Sequence, residues 1–281
     1  MLAPQLLRGA ILSPLKRAPF DAPLPDSRPA VSELRADVER LDAYSRLCGF
    51  PTPGTGHGHR VLPLTYPHVL AFPLAMRLMT TRAFPLPLLG LVHTSIEIDQ
   101  RRALTTDDSL ELCVYASQLA PHRRGTEATL VTEARVDGAA VWTSSSTYLA
   151  RHRTTTAPAT PRASKDEPLP ALGEWPLPRD LGRRYGAVSG DRNPIHLYPL
   201  TARLLGFPRA IAHGMWTAAR CLAELGSAGT TPEAAPEAAH ATVEFRAPVL
   251  LPSTVTYAAE GPAFQLRNPA TGAIHLSGTL R

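Results

Sequence analysis

A single segment carries more information about this chain than any other, and at residues 185–196 it reads Tyr-Gly-Ala-Val-Ser-Gly-Asp-Arg-Asn-Pro-Ile-His. An acid, Asp191, stands five positions before an imidazole, His196, with Pro194 between them. Because a proline disfavours helical geometry in the residue before it, we expect a kinked, extended crossing on which both side chains converge on one small group, such as a water molecule. The same residue types are typical of turns, so an ordinary polar turn is the alternative.

The segment resembles the signature of the MaoC-like, or hydratase 2, family, in which an aromatic residue precedes Ser-Gly-Asp-x-Asn-Pro-Ile-His. The likeness continues through residues 202–215, which include His213-Gly-Met, and through residues 245–252, which read Phe-Arg-Ala-Pro-Val-Leu-Leu-Pro. It covers about residues 175–281 with specific motifs and 30–151 more loosely. Among relatives, the chain looks most like the actinobacterial dehydratases that carry two such units in one chain.

The resemblance implies an α+β double hotdog, in which two helix-wrapped antiparallel sheets pair within one chain. It also implies an (R)-specific 3-hydroxyacyl-thioester dehydratase, equivalently a trans-2-enoyl-thioester hydratase, of fatty-acid metabolism. Asp191 and His196 would then transfer the protons, and the sequence leaves open which of them acts on C2. No metal and no cofactor are implied. A hotdog acyl-thioesterase and a non-catalytic subunit that binds an acyl carrier are the alternative functions.

Helix 213–225 matters for this chemistry because the first turn of a helix presents unpaired N–H groups at the positive end of its dipole. Gly214 carries no side chain to shield its N–H, and the family's matching glycine forms the oxyanion hole. We expect His213 to brace the loop rather than to catalyse. Four more residues of the motif are predicted to support the site: Tyr185, Ser189, Gly190 and Asn193, which would orient the loop or the water.

An internal repeat divides the chain, because Tyr44 parallels Tyr185 at a separation of 141 residues and Arg102 parallels Arg246 at 144. Phe50 stands where Asp191 stands in the second copy, and no Asn-Pro-x-His follows it, so we predict one active site per chain. The predicted organisation is a tail at 1–29, a degenerate hotdog at 30–153, a linker at 154–178 rich in Thr, Pro and Ala, and a catalytic hotdog at 179–281.

Apolar periodicity and turn residues predict the same order of elements in both copies. In the first copy we expect a helix at 66–79, then strands at 91–104, 109–119, 126–137 and 140–150. In the second we expect short helices at 179–188 and 199–205, the helix at 213–225, then strands at 239–247, 253–260, 262–268 and 273–280. Three residues of the long helices are predicted to line an acyl pocket: Phe72, Met76 and Met215.

The amino-acid composition limits the kinds of molecule that this protein is expected to bind. The net charge of +5 comes from scattered arginines without an aromatic platform, which argues against nucleic acid and suits the phosphates of coenzyme A or the acidic surface of acyl carrier protein. No segment reaches the roughly 18 consecutive apolar residues of a membrane span. The three cysteines lack Cys-x-x-Cys spacing, and His57-Gly-His59 lacks partner ligands, so we expect a cytoplasmic protein with reduced thiols and no metal site. The intrachain pairing should make a pseudo-dimer, with a homodimer as a further option.

Overall fold

The structure, a computed structural model, describes residues 20–52, 60–88, 90–153, 167–227 and 238–281. The described residues form ten strands: β1 (Ala30–Leu34), β2 (Leu91–Gln100), β3 (Leu110–His122), β4 (Gly125–Val136), β5 (Ala139–Arg151), β6 (Ala171–Leu177), β7 (Ala239–Phe245), β8 (Ser253–Glu260), β9 (Ala263–Arg267) and β10 (Ile274–Leu280). Their helices are α1 (Val38–Cys48), α2 (Tyr66–Met79), α3 (Leu181–Ser189), α4 (Pro194–Leu197), α5 (Pro199–Leu204) and α6 (Gly214–Ser227). The helices and strands predicted from periodicity are confirmed to within a few residues.

The ten strands make one antiparallel sheet in the order β1-β3-β4-β5-β2-β7-β10-β9-β8-β6. Reading inward from either edge, the two halves match strand for strand, so that β6 is the counterpart of β1 and β7 that of β2. The strands β2 and β7 meet at the centre, in register from Ser95 opposite Glu244 to Gln100 opposite Ala239. This central pairing hides an edge that each half alone would leave open.

The duplication extends to the helices. The short helix of each half ends at a glycine in left-handed geometry, Gly49 at φ 82° and Gly190 at φ 84°, a conformation that glycine adopts without strain. The long helix α2 packs on β3 and β4, and its counterpart α6 packs on β9 and β10. The short helices α1 and α3 of opposite halves contact each other, with Tyr44 and Tyr185 ring centroids 6.1 Å apart.

One part of the predicted organisation is wrong, because residues 171–177 of the expected linker form the edge strand β6, which pairs with β8. Trp175 stacks on Tyr257 with ring centroids 4.9 Å apart, and Leu177 is buried. Pro176 obscured the strand in the sequence, since proline is tolerated only at the edge of a sheet, where β6 lies. Three predicted segments lie outside the described residues: residues 154–166 of the linker, residues 1–19 of the tail, and the His-Gly-His segment at 57–59.

The core lies between the sheet and the long helices. Helix α2 begins with Pro67 in its first turn, where proline suits a helix, and it is buried on most sides. Trp216 of α6 donates from Nε1 to the carbonyl oxygen of Leu47 at 3.1 Å, which links the long helix of the second half to α1 of the first half. None of the described helices combines the length and the apolar character that crossing a membrane requires.

Candidate active site

The segment that carries Asp191 is shaped by short-range hydrogen bonds. After Gly190 turns the chain, the backbone N–H of Asp191 donates to Oγ of Ser189 at 3.1 Å. The Asp191 carboxylate accepts from the N–H of Asn193 at 3.0 Å, and the Asn193 side chain accepts from the N–H of Ile195 at 3.4 Å. These side chains therefore replace the backbone pairing that the turn cannot make.

The predicted extended crossing is correct only in its middle. Asn193 is extended at φ −57° and ψ 126°, as a residue before proline should be, but it also caps the short helix α4. Pro194 occupies the first turn of α4, where its missing N–H costs nothing, and His196 lies in that turn. The kinked, extended crossing that the sequence predicts is therefore found at Asn193 but not beyond it, because the cap and the proline together start a helix.

Two glycines of α3 allow this segment to cross closely over the helix. A Cβ at Gly182 would collide with the carbonyl oxygen of His196, and a Cβ at Gly186 would lie 2.7 Å from the carbonyl oxygen of Asp191. The two glycines are four positions apart and so share one helical face. The role of these two glycines was not predicted, although their spacing is visible in the sequence.

His196 is held in one tautomer. Its Nδ1 lies 2.8 Å from the carbonyl oxygen of Ile211, an acceptor, so Nδ1 carries the proton and Nε2 keeps a lone pair. Burial lowers the pKa of His196, and the nearby charge of Asp191 opposes that shift. Burial likewise raises the pKa of Asp191 above its usual range, and His196 opposes it. The pair thus combines a neutral imidazole with a carboxyl group that holds its proton more tightly than usual.

His213 packs against both members of the pair. Its ring stacks on His196 with centroids 3.7 Å apart, and its Nε2 lies 3.0 Å from the backbone oxygen of Asp191. A carboxylate oxygen of Asp191 is 3.8 Å from the same nitrogen. Burial, reinforced by His196, lowers the pKa of His213 well below its ordinary value. His213 is therefore a neutral donor that holds the backbone of Asp191.

Among the described residues, Asp191, His196 and His213 form one of two groups that could hold a metal ion, since one ligand atom from each lies within 4.8 Å of the others. However, Nδ1 of His196 and Nε2 of His213 donate to backbone carbonyls. The His213 nitrogen nearest the carboxylate therefore carries a proton and offers no lone pair. As arranged, the cluster suits proton transfer better than metal coordination.

Gly214 is the first residue of α6, so its N–H has no acceptor within the helix. A Cβ at this position would lie 3.1 Å from Cε1 of Phe245, so glycine lets the start of the helix pack closely against that ring. Gly214, Asp191 and His196 line one cavity of about 520 Å³. An oxygen atom bound near Gly214 would therefore share a chamber with the acid and the imidazole.

Both halves of the chain build this cavity. From the first half, Phe72 and Met76 of α2 line it, as does Met215 of α6 from the second half. These three residues are the ones predicted for the acyl pocket. Arg124, in the loop between β3 and β4, and Arg151, the last residue of β5, also line the cavity.

Several residues at or behind this cavity were not predicted from the sequence. Arg40 of α1 donates from Nε to the carbonyl oxygen of Val188 at 2.7 Å, directly behind the Asp191 segment. His68, His93 and Tyr148 of the first half line the cavity. No motif marks these residues, because the fold brings them to the site from the copy that lacks the acid–histidine pair.

A ten-stranded sheet made of two matching halves, with one acid–histidine cavity between them, defines the class of two-unit hotdog proteins. The family described as MaoC like domain matches residues 147–267. The curated 3-hydroxyacyl-thioester dehydratase X of Mycobacterium tuberculosis is 39% identical over 283 residues, covering 98% of this chain and 96% of that protein. The chain belongs to the MaoC-like dehydratase family.

Solved structures agree with this assignment. The crystal structure of HtdX from Mycobacterium tuberculosis superposes with a TM-score of 0.76 at 36% identity, covering 91% of this chain and 99% of that chain. A conserved hypothetical protein of Mycobacterium tuberculosis, described as a double hotdog, superposes with a TM-score of 0.53 at 12% identity, covering 94% of this chain and 97% of that chain. The second likeness concerns the fold alone, and together they confirm the predicted double hotdog.

Proposed function

We propose that this protein is an (R)-specific 3-hydroxyacyl-thioester dehydratase, which in the reverse direction hydrates trans-2-enoyl thioesters. The observation that carries the proposal is the fixed tautomer of His196: the carbonyl oxygen of Ile211, 2.8 Å from Nδ1, leaves Nε2 as a base in the cavity that Asp191 and Gly214 also line. Similarity to a 3-hydroxyacyl-thioester dehydratase at 39% identity supports it.

The tautomer of His196 and the upward shift in the pKa of Asp191 suggest a role for each group in dehydration. Nε2 of His196 removes the proton at C2, and the C–H electron pair forms an enolate whose oxygen accepts a hydrogen bond from the N–H of Gly214. The carboxyl group of Asp191 then donates its proton to the C3 hydroxyl. As the enolate electrons form the C2–C3 double bond, the C3–O bond breaks and water leaves. Hydration follows the same steps in reverse.

The two halves would divide the work. We propose a degenerate unit at 30–153 that supplies much of the acyl pocket, with Phe72 and Met76, and a catalytic unit at 179–281 with Asp191 and His196. Asn193, Ser189, Gly190, Tyr185 and His213 would support the catalytic segment. Since the two units pair within the chain, the site needs no second copy.

The carrier of the acyl group would be coenzyme A or acyl carrier protein. Arg124 and Arg151 line the cavity, and their positive charge would attract the phosphates that either carrier bears. The described cysteines Cys48, Cys113 and Cys221 are free, which is consistent with the cytoplasmic location that we propose.

A hydration assay tests the proposal. The purified chain is mixed with trans-2-enoyl-CoA substrates of increasing length, and the loss of enoyl absorbance is followed together with the configuration of the 3-hydroxyacyl product. We expect turnover that yields the (R) product. Release of free thiol without hydration would instead indicate an acyl-thioesterase. Tight binding of acyl carrier without any turnover would indicate a non-catalytic subunit.

A further inference from the structure

Two histidines of the degenerate half face the same cavity without belonging to the acid–histidine site. His68 lies on α2 and His93 on β2, and their rings are nearly parallel, with centroids 6.0 Å apart and planes at 11°. The ring of His93 also stacks on Tyr148 with centroids 4.5 Å apart. We call His68 and His93 the histidine pair.

Each member of the histidine pair has a buried ring nitrogen to which no described residue is hydrogen-bonded, Nδ1 of His68 and Nε2 of His93. A buried polar atom left unpaired costs about 1–3 kcal/mol, so such an atom needs a partner. Both residues line the cavity, so a bound molecule would contact their rings, and a rotation of each ring would turn its buried nitrogen towards that molecule. The sequence therefore keeps two polar rings where leucine or phenylalanine would serve a purely hydrocarbon chain better.

Burial also keeps the histidine pair uncharged. It lowers the pKa of His68 to about 4 and that of His93 to about 3, with the neighbouring His68 adding to the shift of His93. Neutral imidazoles in an enclosed cavity suit an uncharged oxygen, because a bound carboxylate would lose its hydration without gaining an ion pair. The ligand group is thus a hydroxyl or a carbonyl.

The ring of Phe245 lies between the histidine pair and Gly214, and so gives the position of the pair relative to the proposed reaction site. The ring of Phe245 lies 4.9 Å from that of His93, centroid to centroid. The same phenyl ring stands 3.1 Å from where a Cβ at Gly214 would be. The histidine pair is therefore one aromatic ring away from the proposed thioester oxygen. Its neighbours on α2, Val69, Phe72 and Met76, line the cavity with apolar groups.

We propose that His68 and His93 form a hydrogen-bonding subsite for a hydroxyl or carbonyl oxygen carried on the acyl chain, beyond the carbons that react. This inference rests on the proposed dehydratase function, which makes the cavity an acyl pocket. The substrate class is accordingly a thioester whose acyl chain bears a second oxygen function. The subsite would favour that chain over a plain one and position it against the catalytic pair.

The test compares trans-2-decenoyl-CoA with the same chain carrying one hydroxyl or one keto oxygen at successive carbons. For the parent protein we expect kcat/KM to be roughly threefold to tenfold higher for one oxygenated chain than for the plain chain, the range of one neutral hydrogen bond. In the double variant with His68→Leu and His93→Phe the preference should disappear. The variant His93→Gln, which keeps a hydrogen-bonding group, should retain part of it.

His240→Gln is the matched control, because it replaces a histidine that does not line the cavity and should leave the ratio of the two substrates unchanged. Equal kcat/KM for plain and oxygenated chains in the parent would overturn the subsite, and so would a preference that persists in the double variant. If the double variant lost kcat/KM equally with every thioester, His68 and His93 would contact the carrier rather than the acyl chain. That result would also overturn the subsite.

The subsite can also fail separately from the dehydratase function. If the parent hydrates no enoyl thioester, the proposed function fails, and calorimetric binding of saturated acyl-CoA with and without the oxygen still decides the subsite. Tighter binding of the oxygenated chain, lost in the double variant, supports it. Equal binding of both chains rejects it, because water alone would then satisfy the two nitrogens.

Discussion

Arg40 of the first half and Val188 of the second half are joined by a hydrogen bond of 2.7 Å from Nε to the backbone carbonyl oxygen. A second bond of 3.1 Å runs from Nη2 of the same arginine to the carbonyl oxygen of Ser189. These carbonyls end helix α3, where backbone acceptors lack helical partners and a positive charge is favourable. Because Asp191 follows two residues later, the first half helps to hold the segment that carries Asp191 in place.

Replacement of this arginine tests whether the link positions the site. We expect Arg40→Met to lower kcat/KM for enoyl hydration about tenfold and the free energy of unfolding by about 1.5–3 kcal/mol, the range for hydrogen bonds from a charged group. Arg40→Lys should recover part of both. Arg46→Met, an exposed position on the same helix, is the control. Full turnover in a folded Arg40→Met protein would show that Asp191 needs no such support.

The acid–histidine pair makes the strongest prediction. Asp191→Asn and His196→Ala should each reduce hydration by a factor of at least about one hundred, the low end for lost acid–base catalysis. Circular dichroism and thermal unfolding should show that both variants remain folded. Arg192→Gln, an exposed neighbour on the same segment, should stay near the parental rate. Near-parental turnover in either pair variant would mean that the site is assigned wrongly.

The role of Gly214 can be separated from packing. Gly214→Ala places a methyl group 3.1 Å from Cε1 of Phe245 and beside the N–H, and we expect kcat to fall about tenfold or more. Combining it with Phe245→Leu relieves the crowding, with Phe245→Leu alone as the control. Steady-state kinetics of the three variants decide the matter. If the double variant matched Phe245→Leu alone, close approach of the thioester to Gly214 would be unnecessary.

The depth of the cavity predicts a preference for chain length. Each buried methylene contributes about 0.8 kcal/mol, roughly a fourfold gain in kcat/KM, so efficiency should rise from four-carbon to medium or long chains until the cavity is full. Met76→Trp should penalise the longer chains selectively, and Met76→Ala should shift the optimum to longer ones. The measurement is kcat/KM across a series of enoyl-CoA lengths. A flat or falling dependence in the parent would leave the first half as a scaffold.

The histidine pair predicts how stability depends on pH. In the unfolded chain both residues titrate near 6.5, whereas burial lowers the pKa of His68 to about 4 and that of His93 to about 3. As the pH falls from about 6.5 towards 4, the unfolded chain takes up protons that the folded protein excludes. The free energy of unfolding therefore falls, by up to about 1.4 kcal/mol per pH unit for each residue.

Denaturant unfolding across this pH range gives the measurement. The double variant with His68→Leu and His93→Phe should lose much of the slope below pH 6.5, whereas His122→Gln at the end of β3 should not. An unchanged slope in the double variant would mean that the pair is already charged in the folded protein. In that case its nitrogens would have a partner that stabilises the charge.

Much of the fold and part of the site could be predicted from local patterns. The apolar run at 66–79 became α2 with the same ends, and the signs of duplication became two matching halves. Asp191 and His196 could be predicted because their motif resembles a family signature, since the residue types and spacing alone also fit an ordinary polar turn. The strand β6 and the helical turn α4 were not predicted. Pro176 fits either a linker or an edge strand and Pro194 either an extended segment or a first helical turn, and contacts with neighbouring elements decide between them.

The sequence alone determined the family, the α+β class and the residues of the acid–histidine pair, because all three depend on patterns that span a few residues. Only the tertiary structure decided which tautomer His196 adopts and which carbonyl groups Arg40 binds. It also decided which residues of the first half line the cavity that holds Asp191 and His196. Arg40 and Val188 are 148 residues apart, and His68 reaches the site from the other half. Such contacts arise when β2 and β7 pair at the centre of the sheet, and no local pattern encodes that pairing.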